Sequence, residues 1–97
     1  MEQTNLEIKL IKITWLDGID TGWGNGYVKL PKGHKYYGVH YDDIPVDVHG
    51  GLTYSEEEDG FWVVGFDTAH GGDHSRNWTK ERVEEETKNL AKQLENI

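Results

Sequence analysis

The sequence lacks cysteine altogether, and it lacks any long apolar run. Without cysteine there are no disulfides and no thiolate metal ligands, so nothing indicates an oxidising compartment. No apolar stretch approaches the roughly 18 residues that a membrane-spanning helix needs. The opening residues MEQTNLEIK also do not have the pattern of a signal peptide. We therefore expect a cytoplasmic protein without a membrane partner.

Positive charge is scarce as well. Ten Lys and Arg stand against eighteen Asp and Glu, which gives a formal net charge of −8. Proteins bind duplex DNA and anionic membranes through clustered basic side chains, so this charge balance argues against either as a partner. A small anionic ligand stays compatible with it, because backbone N–H groups and one or two arginines can hold a phosphate locally.

Aromatic residues and glycine are abundant instead. Four Trp, five Tyr, two Phe and twelve Gly occur in a chain of 97 residues, which we expect to form a single domain over 1–97. One modest core cannot use this many aromatic rings. Rings left outside the core would stack on a ligand or bury themselves against a second copy, so we expect a homo-oligomer. Ordinary core packing is the alternative for any single ring.

Hydrophobic periodicity predicts an α+β fold, a small and mostly antiparallel sheet with a C-terminal amphipathic helix on one face. Alternation predicts strands over 6–15 and 26–31, and a hairpin whose arms are 45–55 and 61–67 with its turn at 56–60. The helix is predicted over 79–97, with Thr79 as N-cap. Its apolar stripe comprises Val83, Leu90, Ala91, Leu94 and Ile97.

Two long connections separate these elements. Residues 17–26 are rich in glycine, Asp and Asn, and they predict a shaped loop that carries Trp23. The segment 22-GWGNG-26 is not a dinucleotide fingerprint, because such a fingerprint follows a strand and opens a helix. Residues 32–45 show no period and predict an ordered loop with one helical turn.

All five histidines lie between positions 34 and 74, and aspartates are interleaved with them. Histidine supplies a metal ligand or a proton shuttle near neutral pH, and Asp orients it or completes the coordination. The spacing matches no recognised zinc motif. The pattern therefore predicts no cofactor, while a metal ion held by the histidines stays open.

The tripeptide His-Gly-Gly occurs twice, at 49–51 and at 70–72. With the hairpin turn at 56–60, Leu52 falls opposite Val64 or Gly65, and His49 inside the first arm lies near Asp67. The two tripeptides should therefore converge at the open end of the hairpin. They would offer backbone N–H groups to a ligand, or form a glycine-lined bulge that lets the sheet curl.

Candidate ligand residues follow from these patterns. Aromatic rings can stack on a base, and an arginine beside a helix N-terminus can hold a phosphate. The candidate ligand-binding residues are Trp23, Tyr27, His34, Tyr37, His49, Gly50, Gly51, Asp67, His70, Asp73 and Arg76. Because no nucleophile elbow or complete triad is present, no residue is assigned a catalytic role.

The chain also resembles a family of small uncharacterised bacteriophage and prophage proteins. The resemblance is carried by 26-GYVKLPKGHKYYG-38, 42-DDIPVDVHGGLTY-54, 62-WVVGFDTAHGGD-73 and 83-VEEETKNLAKQL-94. It implies a role in the cytoplasm of an infected bacterial host. By analogy with other phage proteins of this size, it implies an anti-defence protein that binds an immune signal.

Three functions follow from the residues and the resemblance together. The first is a binding protein that sequesters a small nucleotide-type immune signal, such as a cyclic nucleotide, without chemistry. The second is a small hydrolase or phosphodiesterase in which His49 and His70 are metal ligands or acid–base groups. The third is an acidic inhibitor that binds a host protein directly. The missing catalytic motifs favour binding over catalysis.

Overall fold

The computed structural model describes residues 5–14 and 20–97 of the chain. Trp15 and the first residues of the predicted 17–26 loop lie outside the described residues. In chain order the elements are β1 (Glu7–Lys12), β2 (Gly24–Leu30), a 3-10 turn (Tyr41–Asp43), β3 (Tyr54–Glu58), β4 (Phe61–Phe66) and α1 (Lys80–Glu95). The 3-10 turn is the helical turn predicted within 32–45.

The strands form one four-stranded antiparallel sheet in the order β1-β2-β4-β3. Val28 of β2 pairs with Val64 of β4, and both point to the face on which α1 packs. The helix lies against β2 and β1. The predicted α+β fold is therefore confirmed, with the helix on one face of an antiparallel sheet.

The hairpin of β3 and β4 has a tighter turn than the sequence predicted. The turn is Asp59-Gly60 alone, with φ of 52° and 87°, which is the geometry of a two-residue type I′ turn. Tyr54 therefore pairs with Gly65, and Leu52 lies beyond the ladder rather than opposite Val64 or Gly65. The predicted register was wrong because the strands continue into residues assigned to the turn.

The predicted strand over 45–55 is also shorter than expected. β3 begins only at Tyr54. Gly50 and Gly51 have φ of 70° and 78°, which no extended strand can contain. The segment before β3 is therefore a loop, and His49 lies in that loop instead of inside a hairpin arm.

Helix α1 agrees closely with its sequence pattern. The Thr79 side chain accepts a hydrogen bond from Arg82 N at 3.3 Å, as an N-cap does. Val83, Leu90, Ala91 and Leu94 are fully buried against the sheet. The predicted stripe was wrong only at its end, because Ile97 lies beyond the last helical residue and is 40% exposed.

The connection between β2 and β3 covers the rest of the same face. Ile44 and Val48 are buried in the core, and Trp62 Nε1 donates to Val39 O at 2.8 Å. The connection is tied to α1 through Gln93, which accepts from Asp47 N and donates to Asp47 O, both at 2.7 Å. Among the described residues, no helix is long and apolar enough to cross a membrane.

Candidate functional site

The two His-Gly-Gly segments lie side by side just beyond the end of β4. The His49 and His70 rings are 5.7 Å apart between centroids and nearly perpendicular, at 88°. The two segments converge, as the sequence predicted, although His49 lies in a loop and the predicted register differs. The chain path brings them together because both arms leave the sheet at the same end.

Asp73 joins the two segments. Its side chain is only 4% exposed, and its Oδ1 lies 2.9 Å from His49 Nε2. Its Oδ2 accepts a hydrogen bond from the backbone N–H of His70 at 2.9 Å. One buried carboxylate thus fixes the imidazole of the first segment and the backbone of the second. When His49 is neutral, this contact places its proton on Nε2.

The ring of His70 is held between two carboxylates. Its Nδ1 lies 3.2 Å from Asp67 Oδ1 and 3.4 Å from Asp73 Oδ2. These distances suit ion pairs, yet neither contact has the alignment of a hydrogen bond, and Nδ1 is enclosed without a partner. This nitrogen therefore faces two acceptors with no hydrogen bond to either.

Gly50 makes the approach of the two segments possible. A Cβ atom built on Gly50 would lie 2.5 Å from Cε1 of His70. The N–H of Gly51 closes the turn by donating to Val48 O at 2.8 Å. The His70 ring consequently occupies the space that any larger side chain at position 50 would fill.

A stack of three planar groups extends from the cluster toward α1. The His49 ring lies 4.1 Å from the Trp78 ring, and the Arg82 guanidinium carbon lies 4.2 Å from the Trp78 centroid. Arg82 also donates from Nη1 to Asn77 O at 2.7 Å. Trp78 is buried and Arg82 is exposed, so the stack runs from the core to the surface.

This stack borders an open cavity of about 660 Å³. The cavity lies between the first segment and α1, and Glu86 bridges the two by accepting from His49 N at 2.7 Å. The lining residues are Asp47, Val48, His49, Gly50, Trp78, Arg82, Glu85, Glu86 and Asn89. Three carboxylates and one guanidinium among them give the lining a negative balance when His49 is neutral.

The turn that follows the second segment is fastened to Asp20. Asp20 Oδ1 accepts from Ser75 N at 3.3 Å, and Asp20 Oδ2 lies 3.3 Å from His74 Nδ1. The Ser75 backbone N–H, with a smaller contribution from His74, holds the pKa of Asp20 below its ordinary value of 3.8. These contacts fasten the turn after the second segment to the chain that precedes β2.

The remaining candidates do not join this cluster. Tyr27 lies on the sheet face away from α1, edge-on to Tyr54 at 5.3 Å. His34 accepts from Tyr36 N at 3.0 Å, so its Nε2 donates to Leu94 O, 2.7 Å away at the end of α1.

Three further candidates have side chains outside the cluster, although Trp23 N donates to Trp78 O at 2.7 Å. Tyr37 contacts Trp62, with 6.2 Å between ring centroids. Trp23 lies near the start of α1, under the Lys80 ammonium at 5.7 Å. Arg76 is exposed in the turn before α1. No Trp, Tyr or Phe of residues 5–14 and 20–97 is fully exposed, and Trp23, Tyr27 and Tyr37 are half-buried.

Two residues of the stack were not among the sequence candidates. Trp78 and Arg82 belong to the stack, whereas Arg76 was the arginine chosen from the sequence. Trp78 directly precedes the N-cap Thr79, and Val83 is the fourth residue of α1; these are the positions of a hydrophobic staple. That spacing could have placed Trp78 in the core beneath the site.

The chain matches no protein-family model, no curated protein and no solved structure. The resemblance to phage proteins therefore stays a prediction, and the site is interpreted from its own chemistry. A buried carboxylate, two imidazoles and a stacked guanidinium can hold a polar ligand, move a proton or coordinate a cation.

Proposed function

We propose that the protein binds a small nucleotide-type ligand in the cavity beside His49 and sequesters it without chemistry, as a phage anti-defence protein would. The observation that carries the proposal is the stack of His49, Trp78 and Arg82 along an open cavity of about 660 Å³. Pockets for small molecules have volumes of roughly 300–1,000 Å³. The anti-defence role rests on the resemblance to phage proteins.

Arg82 is the group that would meet a phosphate. Its guanidinium presents a planar fork of donors that matches the oxygens of a phosphate. Its stacking on Trp78 and its bond to Asn77 O hold the guanidinium in place, so little side-chain freedom is lost on binding. The exposed face of the same guanidinium can also stack on a base.

The charge of the cavity lining limits which ligands can bind there. Asp47, Glu85 and Glu86 line the cavity together with Arg82, so phosphate groups would meet carboxylates as well as the guanidinium. An anion binds there favourably only when a second positive charge offsets these groups, such as a protonated imidazole or a bound cation.

A hydrolase or phosphodiesterase is the second candidate, and the His49–Asp73 contact favours it. A buried carboxylate that holds one imidazole nitrogen orients the ring and leaves the other nitrogen to accept a proton. In this function His49 would activate water beside a ligand in the same cavity. Binding and hydrolysis therefore share one site and differ in what becomes of the ligand.

One experiment separates these functions. The protein is incubated with candidate cyclic nucleotides, separated from free ligand and then denatured. Sequestration releases the intact nucleotide, and hydrolysis releases a product. If no nucleotide binds, both functions in this cavity are wrong, and direct inhibition of a host protein becomes the function to test.

Two arginine variants locate the ligand. Arg82→Ala should weaken binding by about 10- to 100-fold, because a charge-assisted hydrogen bond contributes about 1.5–3 kcal/mol. Arg76→Ala is the matched control, since Arg76 is exposed and does not line the cavity. Isothermal titration measures both, and a larger loss at Arg76 would place the ligand outside this cavity.

A further inference from the structure

The imidazoles of His49 and His70 and the carboxylate of Asp73 form a compact group of potential metal ligands. One ligand atom from each of the three residues lies within 4.8 Å of the others. We propose that these three residues bind one divalent transition-metal ion, zinc above all, with the remaining coordination position open to water or to a ligand.

The chemical types of the three donors suit zinc. Imidazole nitrogen favours Zn²⁺, Cu²⁺, Ni²⁺ and Fe²⁺ over Ca²⁺ and Mg²⁺, which prefer oxygen ligands throughout. Two imidazoles and one carboxylate are a common set for zinc sites that keep a fourth position for water. Because the chain contains no cysteine, a closed thiolate site is not an option.

The distances are already close to those of a coordination sphere. His49 Nε2 lies 2.9 Å from Asp73 Oδ1, and His70 Nδ1 lies 3.4 Å from Asp73 Oδ2. Ligands about 2.1 Å from a tetrahedral zinc ion are separated from each other by roughly 3.4 Å. The two distances run to different oxygens of Asp73, and the three donor atoms lie within 4.8 Å of one another, so an ion would replace the Nε2 proton of His49 and draw the donors together.

A second observation points to a cation at the same place. His70 Nδ1 is enclosed and forms no hydrogen bond, although carboxylate oxygens of Asp67 and Asp73 lie 3.2 and 3.4 Å away. A nitrogen lone pair facing carboxylate oxygens is repulsive, and a shared cation removes the repulsion. A proton would also do so, and His74 Nδ1 is enclosed in the same way beside Asp20; among the described residues, however, only His70 of these two histidines belongs to a group of three potential metal ligands.

The surrounding backbone holds the ligands in position. Asp73 N donates to His70 O at 3.0 Å, and His70 N donates to Asp73 Oδ2, so these two ligands sit on one closed turn. His49 is fixed by its backbone bond to Glu86 and by its stacking on Trp78. Supporting contacts of this kind orient metal ligands and raise affinity.

A divalent ion here would also change the neighbouring cavity. It would add two positive charges beside a lining in which carboxylates outnumber the guanidinium. The second positive charge that an anionic ligand requires would then be present. The metal site itself does not depend on the proposed function, because its donors are fixed whether or not a nucleotide binds.

Metal titration of the whole chain tests the site directly. Protein treated with a chelator is titrated with Zn²⁺ by calorimetry and with Co²⁺ by visible absorption, whose intensity reports a four-coordinate site. One equivalent of each should bind. His49→Ala and His70→Ala should each lower the affinity by at least about 10- to 100-fold, the range already seen when supporting residues are removed.

His74→Ala is the matched control, because His74 pairs with Asp20 and does not belong to the ligand group. Its affinity for zinc should equal that of the unaltered chain. Asp73→Asn retains the size of the third ligand side chain. Circular dichroism with a thermal melt verifies that each variant folds. Loss of zinc binding in a folded His49→Ala or His70→Ala variant supports the site.

Three results would overturn the proposal. The first is that the unaltered chain does not bind one equivalent of zinc. The second is that the folded His49→Ala and His70→Ala variants bind zinc as tightly as the unaltered chain. The third is that His74→Ala loses as much zinc affinity as those two variants. Zinc binding without nucleotide binding supports this site and overturns only the proposed function. Nucleotide binding by a chain that binds no zinc overturns this site and leaves the proposed function standing.

Discussion

The segments His49-Gly50-Gly51 and His70-Gly71-Gly72 share a tripeptide but use it differently. In the first, Gly50 and Gly51 both have positive φ, of 70° and 78°. In the second, only Gly72 does, with φ of 91°. The first turn closes from Gly51 N to Val48 O, whereas the second closes from Asp73 N to His70 O.

This difference shows what each glycine provides. Gly50 provides space as well as a left-handed backbone, because the His70 ring fills the position of a Cβ atom. Gly51, Gly71 and Gly72 each have open space where a Cβ would be. The two identical tripeptides therefore meet different structural requirements. The first segment needs glycine at position 50 because the His70 ring of the second segment lies against it, and the sequence does not show this contact.

The strongest way to break the pairing of the segments is to remove the carboxylate that joins them. Asp73→Ala leaves His49 Nε2 and His70 N without their acceptor. Hydrogen bonds to a charged group contribute about 1.5–3 kcal/mol each, so losing both should lower the free energy of unfolding by about 3–6 kcal/mol. Chemical denaturation measures it.

Asp67→Ala is the control for this loss. Asp67 also lies beside His70, but its side chain is 31% exposed and accepts one backbone bond, from Ala69 N at 3.0 Å. We expect Asp67→Ala to lower the free energy of unfolding by about 1 kcal/mol or less. Equal losses in the two variants would contradict the role of Asp73 as the joining residue.

The second prediction compares two adjacent glycines of the first segment. A left-handed backbone costs a non-glycine residue about 1–2 kcal/mol, so Gly50→Ala and Gly51→Ala should share this loss. Gly50→Ala should lose about 1 kcal/mol more, because its Cβ displaces the His70 ring. Thermal unfolding measures the difference, and equal stability would show that the ring moves aside freely.

Much of the fold could be predicted from local signals. Thr79 before the helical pattern and the alternation of β1 were confirmed, and the turn predicted within 56–60 is present as the shorter Asp59-Gly60 turn. These signals act over a few residues, through capping, turn geometry and side-chain period. The register of the hairpin was wrong by two or three residues, because alternation alone does not say where a turn begins.

The site was predictable only in part. The repeated tripeptide indicated that His49 and His70 would meet, since both flank one hairpin. The staple spacing could have placed Trp78 in the core, but its contacts with His49 and Arg82 could not be predicted, because they depend on how α1 docks against the 31–53 connection. Docking is set by packing over the whole face, through residues such as Val48 and Val83 that carry no chemical signature.

The smallest changes in stability are expected from substitutions of the two glycines of the second segment. Gly72→Ala should lose about 1–2 kcal/mol, because φ of 91° strains any side chain while the space beyond is open. Gly71 has open space and no positive φ, so Gly71→Ala should gain about 0.4–1 kcal/mol by restricting the unfolded chain. Chemical denaturation of both variants measures these opposite signs. A loss at Gly71 as large as that at Gly72 would mean that the second segment, like the first, needs both of its glycines.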